Sequence, residues 1–298
     1  MRFVKNRSGV FGLVFVVYVL AFLGFYLFQR LTNGGSLLLS TFWGDVAATV
    51  IIWLFGIVYK NSSLYDPYWS VAPLYVVCFW LLVRGSSPST PDILFLFALF
   101  VWGIRLTFNW ATRWQGIEHQ DWRYTYFKKR SGNWWQLVNL GGIHLIPTIV
   151  VYLGIAPVFF ALFEPGPGTG VLLALGFVLC IIAAAIQLIA DKQMDRFKQR
   201  AQSREQYIDE GIWRYSRHPN YFGELLFWWG LWVMQVGVNT SIWWTVIGPA
   251  AMTLLFVFIS IPLMERHILA NKPHYAEYQN TVSVLVPWMR KLRRETAV

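Results

Sequence analysis

The segment GVLLALGFVLCIIAAAIQLIA, residues 170–190, decides the fold class of this chain. It contains no charged side chain. A helix of about 20 apolar residues spans the hydrocarbon core of a bilayer, which is about 30 Å thick. The segment therefore predicts a transmembrane helix.

Seven more apolar runs of comparable length flank this segment on both sides. They lie at residues 10–29, 42–59, 68–84, 92–111, 137–163, 221–237 and 241–263. The fifth of them includes Pro147 and Pro157, where we expect a kink or a break because proline has no amide N–H to donate. The pattern predicts an all-α, polytopic integral membrane helix bundle with about eight transmembrane helices.

The composition agrees with a membrane location and excludes several other classes of protein. Of the 298 residues, 56% are hydrophobic, 18% aromatic and only 13% charged, whereas a soluble domain is about 25% charged. Disordered, collagen-like, coiled-coil and nucleic-acid-binding proteins are therefore excluded, despite the net charge of +10. Cys78 and Cys180 lie in unrelated apolar runs, so we expect neither a disulfide framework nor a metal site.

Lysine and arginine residues orient the spans. If the N-terminus is cytoplasmic, all of the 25 Lys and Arg residues except Arg30 and Arg84 fall in cytoplasmic segments. Cytoplasmic loops of membrane proteins have this excess of positive charge. We therefore predict that both termini are cytoplasmic, in a protein of the bacterial inner membrane that contacts membrane lipids.

The basic residues concentrate in segments 105–130, 192–217 and 266–294, all on the predicted cytoplasmic side. Such clusters can simply meet anionic lipid head groups. The alternative is a bound anion with several phosphates, which needs Arg, Lys or helix N-termini around it. The chain has no Walker A motif and no GxSxG motif, and its five histidines form no HxxxH pair.

Residues 187–224, QLIADKQMDRFKQRAQSREQYIDEGIWRYSRHPNYFGE, hold the most informative polar groups. We expect the helix of the sixth span to continue into the cytoplasm, with Asp191 and Lys198 on one face. A surface ion pair is the simpler interpretation of those two residues. Gly211 predicts a turn, and Pro219 predicts the start of the seventh span.

Asn220 and Glu224 fall one turn apart at the start of that span, and Arg214, Arg217 and His218 lie at its N-terminus. A carboxylate and a carboxamide beside clustered cations can bind an amide-bearing ring and a phosphate together. The alternative is that Glu224 stabilises the helix start and pairs with Arg217. Ionisable groups at membrane depth are functional candidates in either case.

Two further polar groups interrupt apolar surroundings. Asp66 and Tyr68 combine a carboxylate with a phenol that can donate a proton to a carbonyl; a polar turn in an aromatic belt is the alternative. His267 shares a helix face with Asn271, either in a site or among the lipid head groups.

At these residues the chain resembles the steroid 5-alpha-reductase family, and more closely the bacterial steroid-reductase-like membrane proteins of uncertain substrate. The resemblance rests on GIWRYSRHPNYFGELLFWWG at 211–230, PLMERH at 262–267 and YAEYQNTVSVLVPW at 275–288, and it covers roughly residues 90–290. The RHPxY part of the first segment also occurs in isoprenylcysteine methyltransferases.

The resemblance implies that NADPH binds in the cytoplasmic half. It also implies hydride transfer to a C=C bond conjugated to a carbonyl, in a hydrophobic substrate that enters from the bilayer. It divides the chain into N-terminal helices at 1–90, which include an extra span and a possible substrate-side site, and a reductase-like domain at 91–298. Together with the polar groups above, it makes Asp66, Tyr68 and Glu224 the candidate catalytic residues. The candidate cofactor-binding residues are Arg105, Arg113, Asp191, Lys198, Tyr215, Arg217, His218, Asn220, Glu224 and His267.

The chain departs from the family at positions that concern the substrate. Trp102 stands where the family has the tyrosine that polarises the steroid carbonyl, and a tryptophan has no acidic proton to donate. The Gln–Glu pair of the second family helix has no copy, and Asp66 lies nearest to its place. Arg113 and Asn271 replace an asparagine and a tyrosine of the animal enzymes. We therefore expect a steroid- or lipid-like substrate without assigning a steroid.

Two other functions are compatible with these residues. The first is a membrane methyltransferase that uses S-adenosylmethionine, which has no phosphate and needs fewer basic residues. Methyltransferases of the isoprenylcysteine type tend to have paired glutamates on the last helix, whereas this chain has Glu265 followed by Arg266. The second is a non-catalytic lipid-binding protein, which Trp102 favours slightly. The oligomeric state stays open.

Overall fold

The computed structural model describes residues 7–32, 35–203 and 205–290, and every regular element in these ranges is helical. The α-helices are α1 (Arg7–Leu31), α2 (Leu37–Val58), α3 (Tyr68–Arg84), α4 (Thr90–Arg113), α5 (Trp122–Ser131), α6 (Trp135–Val138), α7 (Ile146–Phe163), α8 (Gly170–Arg200), α9 (Pro219–Val238), α10 (Ile247–Leu255), α11 (Ile261–Asn271) and α12 (Tyr275–Thr281). Shorter 3-10 turns lie at Ser62–Tyr65, Gly132–Trp134, Gly211–Arg214 and Thr240–Val246, and π-helical turns lie at Asn139–Leu145 and Phe256–Ser260. Both chain termini, whose side of the membrane was predicted above, lie outside the described residues.

Seven helical stretches among the described residues are long and apolar enough to cross a membrane, which confirms a polytopic membrane bundle. They are Ser8–Leu31, Leu37–Val58, Ser62–Arg84, Thr90–Arg113, Trp122–Phe163, Gly170–Arg200 and Thr240–Asn271. The predicted run at 221–237 forms α9, which contains Glu224, Gln235 and three tryptophans and is not among these seven stretches. The structure therefore gives seven spans by length and composition, against about eight predicted.

The predicted kinks at Pro147 and Pro157 have different outcomes. Pro147 lies in the first turn of α7, directly after the π-helical turn Asn139–Leu145. A proline is tolerated there because the first amide groups of a helix have no intrahelical acceptor. Pro157 lies inside α7, which continues through it to Phe163. The long run thus changes its helical geometry before Pro147 and is not interrupted at Pro157.

The chain divides into two compact units, Met1–Phe163 and Glu164–Val298, called here the N-terminal and C-terminal units. This division differs from the predicted boundary at residue 90. Helix α4 belongs to the N-terminal unit because it packs against α3 and α7. A Cβ atom built on Gly103 of α4 would lie 2.9 Å from the carbonyl oxygen of Ser70 on α3, so the two backbones touch.

In the N-terminal unit, α2 buries a stripe of polar residues at every fourth position. Thr41, Asp45 and Thr49 are each no more than 2% exposed on a helix whose other residues are apolar except Ser40. Buried polar groups must find hydrogen-bond partners, since an unpaired one costs stability. The partners are Tyr152 Oη at 2.6 Å from Thr41, Tyr68 Oη at 2.5 Å from Asp45, and Thr148 Oγ1 at 2.8 Å from Thr49.

In the C-terminal unit, α8 and α9 pack along each other through glycine. Gly223, Gly230 and Gly237 are seven residues apart and form one stripe of α9. A Cβ atom on Gly223 would lie 2.6 Å from Gln187 Cγ, and one on Gly230 would lie 2.7 Å from Cys180 Sγ. Only glycine allows this approach, which brings the first turns of α9 against the middle of α8.

Candidate functional site

The start of α9 is organised around the Arg217 side chain, which lies just before the helix. Its Nε donates to Glu265 Oε1 at 2.7 Å, and its Nη2 lies 3.4 Å from Glu265 Oε2. Its Nη1 donates to the carbonyl oxygens of Gln279 and Val282 at 2.6 and 2.7 Å. The guanidinium is thus bound from both ends by groups of the C-terminal unit.

The carboxylate of Glu265, on α11, also binds two other side chains. His218 Nε2 lies 3.1 Å from Oε1, and Gln279 Nε2 donates to Oε2 at 2.8 Å. We call Arg217, His218, Glu265 and Gln279 the Glu265 cluster. The side chains of Arg217 and Glu265 are only 11% and 14% exposed, so their opposite charges compensate each other where water has little access.

The Glu265 cluster fixes the C-terminal segment 282–288 against the loop 211–218. Three hydrogen bonds join the two: Arg217 N to Ser283 O at 2.8 Å, Ser216 Oγ to Leu285 O at 2.7 Å, and Trp288 N to Tyr215 O at 2.9 Å. The Tyr278 hydroxyl donates to the carbonyl oxygen of Trp213. Burial raises the pKa of Tyr278, which keeps this phenol neutral and able to donate.

Gly211 and Pro219 shape this loop as the sequence predicts. Gly211 has a φ of 57°, a left-handed conformation that favours glycine, and it begins the 3-10 turn Gly211–Arg214. Pro219 is the first residue of α9. The His218 ring stacks on Tyr221 with centroids 5.2 Å apart and planes 11° apart.

Glu224 lies in the seam between α8 and α9 rather than beside Arg217. It is 5% exposed. Gln187 Nε2 donates to its Oε2 at 2.5 Å, and Trp228 Nε1 donates to its Oε1 at 3.0 Å. Arg217, which the sequence analysis considers as an alternative partner of Glu224, pairs with Glu265. A role of Glu224 in binding or catalysis stays a prediction.

The other predicted cofactor-binding residues of the C-terminal unit lie on α8, α9 and α11 and in the loop 211–218. Asp191 is half-buried and Lys198 exposed on α8, which extends to Arg200 as the sequence predicts. Tyr215 is 45% exposed, and Asn220 is half-buried in the first turn of α9. His267 is half-buried on α11, where its carbonyl oxygen accepts from Asn271 Nδ2 at 2.7 Å.

A pocket of about 410 Å³ opens beside the end of α8. Its walls include two aromatic rings, Phe197 and Tyr207, and two carboxylates, Asp209 and Glu210. Arg200 pairs with Glu210, and Arg290 lies 3.5 Å from Asp209. The ring centroids of Tyr207 and Tyr278 are 5.3 Å apart, and Tyr278 lies on α12, just before the segment 282–288. The pocket therefore lies close to the segment that the Glu265 cluster holds.

In the N-terminal unit, Asp66 and Tyr68 do not pair with each other. Asp66 accepts a hydrogen bond from the hydroxyl of Tyr124, at the start of α5. Tyr68 is buried and donates instead to Asp45 Oδ1 at 2.5 Å, with Tyr75 Oη 3.2 Å away. The predicted carboxylate–phenol combination is therefore present twice, each time with a partner that the sequence analysis missed.

The remaining predicted residues of this unit lie on α4. Arg105 is half-buried and Arg113 is exposed in the last turn. Trp102, at the position of the family tyrosine, is fully buried. Among the described residues, no three His, Cys, Asp or Glu side chains lie together as metal ligands.

Sequence reasoning missed Asp45, Tyr124 and Gln279 as partners in these networks. Asp45 had a usable signal, because it is an acidic residue within the apolar run 42–59. Gln279 and Tyr124 had none, since amides and phenols are common in polar loops.

Comparisons with known proteins match the chain to one family and to individual relatives. A family described as "Protein of unknown function (DUF1295)" matches residues 52–282. An uncharacterized protein of Schizosaccharomyces pombe is 25% identical over 281 residues, which are 85% of this chain and 78% of that protein. The family match contains the whole Glu265 cluster, whereas Thr41, Asp45 and Thr49 of α2 lie before it.

One relative has a named activity. Methanethiol S-methyltransferase 1 of Bradyrhizobium diazoefficiens is 30% identical over 82 residues, which are 27% of this chain and 26% of that enzyme. No solved structure matches the chain significantly. None of these relatives is named as a steroid reductase.

Proposed function

The chain belongs to the DUF1295 family of membrane proteins, and from that premise we propose that it is a methyltransferase that uses S-adenosylmethionine. The observation behind the proposal is the 30% identity over 82 residues to a methanethiol S-methyltransferase. This similarity favours the methyltransferase, which the sequence analysis gives as an alternative, over the predicted reductase.

The charges of the C-terminal unit support S-adenosylmethionine over NADPH. NADPH has three phosphate groups and needs several uncommitted cations. Arg217, the most buried arginine at the start of α9, already binds Glu265 and two carbonyl oxygens. S-adenosylmethionine has no phosphate and a positive sulfonium, so an internally neutralised cluster suits it better.

The pocket beside α8 suits the nucleoside part of that molecule. Carboxylates such as Asp209 and Glu210 accept hydrogen bonds from the two hydroxyls of a ribose. The rings of Phe197 and Tyr207 offer apolar faces to an adenine. Both carboxylates are paired with arginines, so the charges at this pocket are compensated within the protein, as they are in the Glu265 cluster.

When bound, S-adenosylmethionine supplies a methyl group that a nucleophile displaces from the sulfonium. The residues of this chain then have two tasks. The Glu265 cluster holds the loop 211–218 and the segment 282–288 in one arrangement, so that the pocket wall near Tyr207 keeps its shape. The apolar spans admit a hydrophobic methyl acceptor from the bilayer, and we place the pocket on the cytoplasmic side because of the predicted charge distribution.

Ligand-induced thermal stabilisation of the purified protein tests this function. We expect S-adenosylmethionine to raise the unfolding temperature, since a ligand at 100 times its Kd stabilises the folded state by about 2.7 kcal/mol. The double variant Asp209→Asn, Glu210→Gln should lose the shift. The matched control Glu205→Gln, an exposed acid in the same loop, should keep it.

A second candidate, the NADPH-dependent reductase, is favoured by the exposed basic residues Lys192, Arg196 and Lys198 near the end of α8. In the same assay it requires stabilisation by NADPH and none by S-adenosylmethionine, and that result would overturn the methyltransferase proposal. Stabilisation by neither compound would favour a non-catalytic lipid-binding protein.

A further inference from the structure

The C-terminal unit presents a group of exposed apolar side chains near the end of the described chain. Their exposed fractions are 40%, 57%, 72% and 81% for Val284, Val286, Trp288 and Met289. The backbone here is held in place, because the carbonyl oxygens of Ser283 and Leu285 and the amide of Trp288 bond to the loop 211–218. A fixed backbone thus presents apolar side chains that the described part of the chain leaves exposed.

These residues lie outside the membrane-spanning helices. The last stretch that is long and apolar enough to span the membrane ends at Asn271, and α12 separates it from the apolar group. Exposed apolar residues are ordinary on a helix that faces lipid. A contiguous exposed group elsewhere marks an interaction surface. The group at 284–289 therefore calls for a partner.

The Glu265 cluster fixes the level of this group relative to the bilayer. Arg217 joins Glu265 to the carbonyl oxygen of Val282, with 2.7 Å to each. Glu265 lies near the end of the stretch Thr240–Asn271, which has 32 residues. At about 1.5 Å per residue this stretch is about 48 Å long, whereas the hydrocarbon core is about 30 Å thick, so its ends extend into the head-group region. The chain that continues from Val282 therefore begins close to the head groups.

Basic residues accompany the apolar group. Arg214 is exposed in the loop that holds the segment, and Arg290 follows Met289 directly. Arg290 is 37% exposed and lies 3.5 Å from Asp209. The sequence continues, outside the described residues, with the basic residues Lys291, Arg293 and Arg294. Tryptophan is enriched at the boundary between lipid and water, and clustered Lys and Arg attract anionic head groups.

We propose that residues 284–290 bind the surface of an anionic bilayer, with Trp288 and Met289 at the boundary between head groups and acyl chains and Arg290 at the phosphates. A lipid surface fits better than a soluble protein because the segment already lies at the level of the head groups. The lipid then holds one side of the segment, and the loop 211–218 holds the other. The proposal is independent of methyl transfer and stands if that activity is absent.

Electron paramagnetic resonance of single nitroxide labels on the full chain tests this surface. The labelled variants are Val286→Cys and Met289→Cys, in a Cys78→Ala background that leaves only the buried Cys180. Both labelled side chains are exposed, so we expect the variants to fold. The protein is reconstituted in vesicles of phosphatidylcholine and phosphatidylglycerol.

The measured quantity is the ratio of two collision rates of the nitroxide, with oxygen, which concentrates in hydrocarbon, and with a nickel chelate, which stays in water. Leu254→Cys, exposed on a spanning stretch, gives the lipid reference, and Glu205→Cys, exposed in a polar loop, gives the water reference. We expect the ratio at 286 and 289 to be several-fold above the water reference and below the lipid reference. The ratio should fall in vesicles of phosphatidylcholine alone.

A ratio at 286 and 289 equal to that at 205 would place these residues in water and overturn the proposal. Low collision rates with both reagents would indicate a protein contact, such as a second copy of this chain, and would overturn it as well. An unchanged ratio in phosphatidylcholine alone would refute the requirement for an anionic lipid.

Discussion

Glu265→Ala removes the carboxylate that neutralises Arg217 and orients His218 and Gln279. Four contacts of 2.7 to 3.4 Å are lost at once. Breaking one partner of a buried ion pair costs about 3–5 kcal/mol, because the other charge stays behind without compensation. Arg217 keeps two carbonyl acceptors and is 11% exposed, so we expect the lower end, about 3 kcal/mol.

We expect the loss of stability in Glu265→Ala to affect one segment before it affects the whole fold. Without Glu265, the carbonyl oxygens of Gln279 and Val282 alone hold the guanidinium of Arg217, so we expect the segment 282–288, which begins at Val282, to loosen first. Hydrogen exchange followed by mass spectrometry should show faster exchange in that segment, and thermal unfolding in detergent should show a lower transition temperature. Glu265→Gln preserves shape and one acceptor, and should give a smaller effect.

The exposed Glu205→Ala serves as the control and should match the wild type in both measurements. If Glu265→Ala unfolds at the wild-type temperature with unchanged exchange in 282–288, then the Glu265 cluster does not hold this segment and the reasoning above is refuted.

Two further outcomes are expected. Gly230→Ala places a Cβ 2.7 Å from Cys180 Sγ and should destabilise the fold by about 1–3 kcal/mol through overpacking, whereas Gly141→Ala, which meets no neighbour, should not; equal unfolding temperatures would contradict the close packing of α8 and α9. Burial raises the pKa of the Asp121 carboxyl, but the hydrogen bonds from Arg123 and the positive charge of Arg123 lower it by more. The net pKa is therefore below the ordinary value of 3.8. Its stabilisation is therefore complete above pH 3.8 and is lost as the pH falls toward the lowered pKa; Asp121→Asn should flatten the stability curve in that range, and an unchanged curve would exclude this carboxylate.

Several local features follow directly from the residue pattern. The apolar runs predict the helices to within a few residues at most ends, and the extension of α8 past the apolar run to Arg200 follows from its polar helical sequence. Gly211 and Pro219 mark the turn and the start of α9 because their backbone preferences are local. The sequence predicts about eight spans against seven stretches in the structure, and the difference lies at α9, which contains tryptophans and buried polar groups among its apolar residues.

The pairing of the polar side chains does not follow from the pattern. Arg217 has Glu224 seven residues away and Glu265 48 residues away, and it pairs with the distant one. Glu224 lies between α8 and α9, where it accepts a hydrogen bond from Gln187, because glycine at 223 and 230 allows the two helices to pack closely. Tyr68 likewise bonds Asp45 on α2 rather than the neighbouring Asp66.

The sequence by itself determined that this is an all-helical membrane protein, because transfer of apolar residues into a bilayer depends on length and composition alone. Only the tertiary structure decided which carboxylate compensates which cation. Those choices depend on distances between side chains far apart in the chain, and hydrogen bonds form only when helix packing brings the two atoms within about 3 Å.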